Sequence, residues 1–139
     1  MTATIKSELS WREVSVDQAL RAGRTVASRL GGIATLRLRN AQGGLQEIGS
    51  WFTMPANATV SGDVVLRAAL SGVYRVRLVE DNFRREWTLH SAWLGAGTTI
   101  TIPLSFTFPG GQRFYHIIVE HTGLTAQDFI CTSPIFIRQ

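Results

Sequence analysis

At 139 residues, 45% hydrophobic and 17% charged, the chain is sized for one folded domain with a single core and lies far from the disordered regime. Fourteen basic residues against ten acidic ones leave a formal charge of +4, carried mostly by arginine, with Lys6 the only lysine. No apolar run is long enough for a membrane-spanning helix, Met1 to Glu8 shows no apolar core after a basic start, and the single cysteine, Cys131, excludes an internal disulfide or a thiolate metal cage. These features predict a cytoplasmic protein, or a piece of a longer exported one.

The first element follows an arm over 1–14. Ser15-Val16-Asp17-Gln18 reads as a capping box, in which the Ser15 hydroxyl accepts from the Gln18 backbone N–H and the Gln18 amide reaches back. Val16, Ala19 and Leu20 then share one helical face and Gly23 suits the stop, which predicts a short helix over 15–23. Thr25–Ser28 is expected to be extended, with Gly31-Gly32 as a turn.

From there the hydrophobic period becomes two. Ala34, Leu36 and Leu38 alternate with Thr35, Arg37 and Arg39, and Asn40 to Gly44 turns the chain. Leu45 to Phe52 reads as one strand weakened by Gly49, Met54 to Asn57 as a loop, and Ser61-Gly62-Asp63 as a turn. Val64, Leu66, Ala68 and Leu70 form the next apolar row. Tyr74, Val76 and Leu78 form another, and Glu80-Asp81-Asn82 turns into a strand over Phe83–Ser91. Thr98–Leu104, Arg113–Glu120 and Asp128–Ile137 complete the series, Pro134 marking an edge strand or a bulge. The pattern predicts an all-β fold: an immunoglobulin-like antiparallel β-sandwich of about 7–9 strands over 33–137, preceded by one short helix, in a single domain.

Several of these segments, in this order, resemble a known arrangement. They are the helix ending Ala-Leu-Arg-Ala-Gly-Arg, the Gly62-Asp63 strand start, Tyr-Arg-Val-Arg-Leu-Val running to Asn82, Phe-Tyr-His-Ile-Ile-Val-Glu (Phe114 to Glu120) and the closing Thr-Ser-Pro-Ile-Phe-Ile (Thr132 to Ile137). Together they are similar to the C-terminal region of bacterial PHP-type metal-dependent phosphoesterases, where a β-sandwich follows the catalytic barrel. The resemblance spans Val16 to Ile137 and implies a non-catalytic accessory or interaction domain. That family's chemistry rests on His-x-His and Asp-x-His pairs of the barrel, which hold a metal cluster. This sequence has neither pair, so no catalytic residue carries over and no cofactor is expected.

The remaining chemistry-bearing residues suggest surfaces more than reactions. His90, His116 and His121, with Glu120 and Asp128, lack the spacing of three or four converging metal ligands. Ser133 has no Gly-x-Ser-x-Gly elbow around it, and Cys131 reads as a structural thiol. Strand parity puts Arg37 with Arg39 and Arg75 with Arg77, so that with Arg67 they would form one stripe if their strands adjoined. Trp11 and Trp93, near expected loops or termini, complete the candidate interaction surface with Arg37, Arg39, Arg75 and Arg77. A partner protein domain or a second copy is the expected occupant, with no membrane. A sugar- or polyanion-binding module is the alternative: exposed Trp would stack on sugar rings, and the arginines in one stripe would meet a polyanion, with carbohydrate a candidate ligand and nucleic acid not the expected partner.

Overall fold

The computed structural model describes residues 4–7, 25–28, 32–121 and 129–139. Twelve strands lie among them: β1 (Thr4–Ser7), β2 (Thr25–Ser28), β3 (Ile33–Arg39), β4 (Leu45–Glu47), β5 (Trp51–Thr53), β6 (Thr59–Arg67), β7 (Gly72–Glu80), β8 (Arg85–Leu94), β9 (Thr99–Thr107), β10 (Gln112–His121), β11 (Phe129–Thr132) and β12 (Ile135–Arg138). The expected helix over 15–23 lies outside the described residues, as do Trp11 and Asp128. Among the described residues no helix is long and apolar enough to cross a membrane.

The strands form two sheets packed face to face. The smaller runs β4-β3-β6-β9. The larger has β10 at its centre, with β7 and then β8 on one edge. The other edge is shared: β11 pairs one half of β10 and leads to β2 and β1, while β12 pairs the other half and leads to β5. The period-two rows explain the packing, because alternate side chains point to one face. Leu36, Leu38, Val64, Leu66, Leu104 and Phe106 of the smaller sheet meet Tyr74, Val76, Leu78, Tyr115, Ile117, Val119, Ile135 and Ile137 of the larger in one core.

Several sequence expectations give way to tertiary context. The stretch from Leu45 to Phe52 is two strands in different sheets. Gly49, at φ 83°, lets the chain leave β4 and enter the larger sheet as β5, and its N–H donates to the Pro134 carbonyl at 2.8 Å. β5 then runs parallel to β12, so the sandwich is not wholly antiparallel. Ser61-Gly62-Asp63 is no turn but the middle of β6. Glycine is needed there because a Cβ would strike the Arg37 carbonyl of β3. Glu80 closes β7 and does not begin the turn, and Trp93 lies within β8. Pro134 separates β11 from β12 along β10. There the Thr132 hydroxyl accepts from the Ile117 N–H at 3.0 Å, which fits an interruption within the sheet, not an edge strand.

A buried ionic knot joins the two sheets. Glu80 is fully buried and accepts from Arg85 Nε at 2.9 Å, Arg85 Nη2 at 2.6 Å and Tyr115 Oη at 2.6 Å. Arg85 also donates to the Thr107 carbonyl of β9 at 3.0 Å and stacks over Trp87 at 4.8 Å. Burial pushes the Glu80 pKa up, but the hydrogen bonds from Arg85 and Tyr115 outweigh it and hold the carboxyl below its ordinary value. Burial, with the Glu80 carboxylate beside it, drives the Tyr115 phenol well above its usual range.

Candidate binding site on the outer face of the larger sheet

On the face of the larger sheet turned away from the core, register places three rings in one row across adjacent strands. Trp51 of β5 lies opposite Phe136 of β12, and Phe136 opposite Phe114 of β10. Outward parity follows from the buried neighbours Phe52, Ile135, Ile137 and Tyr115. The path of rings continues: Phe136 to Phe114 at 6.1 Å between centroids, Phe114 stacked on His116 at 6.2 Å, and His116 edge-on to Phe83 at 6.5 Å. Trp51 is 59% exposed, Phe83 55% and Phe136 48%, which is unusual for large apolar groups standing side by side.

The row borders a groove of about 610 Å³, within the range that holds small ligands, lined by Trp51, Phe114, Phe136, Asp81, Arg113 and Arg138 among others. Its polar groups are partly committed. Asp81 accepts from Arg113 Nη1 at 2.9 Å and from the Phe114 N–H at 3.0 Å, and its own N–H donates to the Phe114 carbonyl at 2.7 Å. Arg138 lies over the Trp51 ring at 3.9 Å, with no carboxylate in ion-pair reach among the described residues. Burial lowers the His116 pKa, which keeps its ring neutral near pH 7.

The turn that closes β7 onto β8 is tied to this face through Asp81 and Phe83. Asp81 and Phe83 both have positive φ, at 54° and 63°, a conformation that costs a bulky L-residue energy. Strain of this kind persists where the surrounding structure imposes it, and it collects at functional sites. Here it sets the Phe83 ring against His116.

No protein-family model matches the sequence, and no curated protein does. The site therefore rests on its geometry.

The surface expected from the sequence is dispersed. Arg37, Arg39 and Arg67 lie on the smaller sheet, whereas Arg75 and Arg77 lie on the larger, so the five do not form one stripe. Arg37 forks onto Asp63, its cross-strand partner, at 2.7 and 2.8 Å, and Arg39 donates to the Gly43 carbonyl at 3.1 Å. Arg77 is held by Glu86 and Glu120. Trp93 is 64% exposed on the larger sheet, but it pairs with Val73, seven residues before Glu80 along β7 and so roughly 23 Å from the groove end. His116 and His121 face opposite sides of β10, and His121 is buried edge-on to Tyr74 with Nε2 2.9 Å from the Ser71 carbonyl. Among the described residues no three His, Cys, Asp or Glu side chains are placed to hold a metal ion. The groove residues were missed because the row exists only through β12–β5 pairing. The available signal was Phe136, an aromatic at the outward position between Ile135 and Ile137.

Proposed function

We propose that this protein is a non-catalytic interaction domain that engages its partner through the aromatic groove on the outer face of the larger sheet. The observation that carries the reading is the row Trp51–Phe136–Phe114, exposed on strands whose opposite faces fill the core. Exposed aromatics beside a groove and a guanidinium are the composition of binding hot spots. The carboxylate at the groove, Asp81, is tied to Arg113 and to backbone, so it serves to shape the surface. In this reading the sandwich is of the immunoglobulin-like kind. It acts as an accessory domain, as its similarity to the appendage of PHP-type phosphoesterases implies, in a cytoplasmic setting that suits its lone half-buried thiol.

A carbohydrate ligand is the second reading, because a line of exposed rings fits the apolar faces of successive sugar residues. The test is a binding array of oligosaccharides, single-stranded oligonucleotides and short peptides, probed with wild type and with Trp51→Ala/Phe136→Ala. The reading expects the wild-type ligands, of whichever class, to be lost by the double variant. Ligands retained by that variant would place binding elsewhere and overturn it.

A further inference from the structure

The charges around the aromatic row narrow the ligand. On the outer face of the larger sheet, Asp81 pairs with Arg113, and Glu86 and Glu120 both pair with Arg77. Asp81 is therefore matched one to one by Arg113 at the groove, while Glu86 and Glu120 share the single charge of Arg77 farther along the face. Three arginines on this sheet and its turn have no carboxylate in ion-pair reach among the described residues: Arg75 on β7, Arg84 in the turn after it, and Arg138 on β12. Two of these, Arg84 and Arg138, belong to the end of the sheet that carries the rings, since the turn at Asp81 is bonded to Phe114. Among the described residues, the charge at the groove without an ion pair is positive, although Arg84 also acts at longer range on Glu80, and it stands beside the row of flat rings.

Resting on the groove reading above, we infer that the ligand is single-stranded nucleic acid, its bases stacking along Trp51, Phe136, Phe114 and His116 while phosphates meet Arg138 and Arg84. Base stacking on aromatic side chains needs no sequence readout, and a basic margin tracks the backbone; the two together make a single-strand platform. A sheet face presenting such rings is one of the known ways to bind unpaired bases. A duplex keeps its bases stacked on one another and offers the rings nothing. A neutral sugar would use the rings and leave the two cations without a role.

The test is fluorescence anisotropy with a labelled oligothymidylate of about twelve nucleotides, compared with an abasic strand of the same length and with duplex. Each is titrated between about 50 and 200 mM salt, where phosphate contacts are read from the slope. The inference expects the oligothymidylate to bind at least roughly tenfold more tightly than either control, since stacking contributes about 5- to 150-fold per base. Trp51→Ala/Phe136→Ala should lose that advantage, and Arg138→Ala should reduce the log–log salt slope by about 0.7, the share of one phosphate. Equal binding of the abasic strand, or an unchanged affinity in the double variant, would overturn it. Absence of binding to the oligothymidylate would overturn it as well. If a neutral oligosaccharide or an acidic peptide then bound wild type and not the double variant, the nucleic-acid assignment would fall while the groove reading stood.

Discussion

Two clusters with the same ingredients sit at one end of the larger sheet, each with a carboxylate, an arginine and an aromatic ring from neighbouring positions. Glu80, Arg85 and Tyr115 turn inward; Asp81, Arg113 and Phe114 gather at the outer groove. Glu80 and Asp81 are consecutive, as are Phe114 and Tyr115, so the alternation of a strand assigns one set to the core and the other to solvent. The inner carboxylate is fully buried and is held charged by its hydrogen bonds to Arg85 and Tyr115, so the inner cluster acts in folding. The outer cluster pairs Asp81 with Arg113 and places the half-buried Phe114 beside the exposed Trp51 and Phe136, so this face is free to act in binding.

The difference is sharpest when each cluster is broken alone. Arg85→Ala strands a buried carboxylate and should cost about 3–5 kcal/mol in urea unfolding. A loss under about 1 kcal/mol would mean that water reaches Glu80. Tyr115→Phe removes one hydrogen bond to the same carboxylate and should cost about 1–3 kcal/mol, measured the same way. Neither change touches the groove rings, so ligand affinity of the folded variants should hold.

Acid should act on the inner cluster through Glu80. Its folded pKa lies below the ordinary 4.5, so its stabilising contribution is full above that value and fades as pH falls through the folded pKa. Urea midpoints between about pH 3 and 7 should fall steeply below about 4.5 in wild type, and Glu80→Gln, less stable at neutral pH, should flatten that fall. An identical acid profile in the variant would assign the pH dependence to another group.

Breaking the outer cluster should do the reverse. Trp51→Ala/Phe136→Ala removes two half-exposed rings and the stacking of Arg138 on Trp51, which together cost about 1 kcal/mol or less. A loss several times larger would make the row a structural element.

The contrast also marks what could be read from the chain. Alternation predicted the inward rows of β3 and β7 correctly, and that of β6 as far as Ala68 but not the exposed Leu70, because a half-buried strand writes its face into every second residue. It predicted outward parity for Arg37, Arg39, Arg75 and Arg77 by the same rule. It could not say which sheet each strand joins, and the imagined stripe separates because β3 and β7 lie in different sheets. The break at Gly49 was visible as a weakness, but its consequence was not: β5 crosses to pair with β12, more than eighty residues away in sequence. The aromatic row depends on that long-range pairing. Glu80 looked like a turn residue because its burial depends on Arg85 and Tyr115, one of them on another strand far along the chain.

The account turns on Trp51, and the chain's four tryptophans give four indole N–H signals by which to watch it. The measurement is a two-dimensional ¹H–¹⁵N spectrum of the indole region, with Trp51 and Trp93 assigned from Phe substitutions, recorded as oligothymidylate is added. The account predicts that the Trp51 signal moves and saturates while that of Trp93, at the far end of the same face, stays in place. Movement of Trp93 with Trp51 unmoved, or no movement of either, would contradict it.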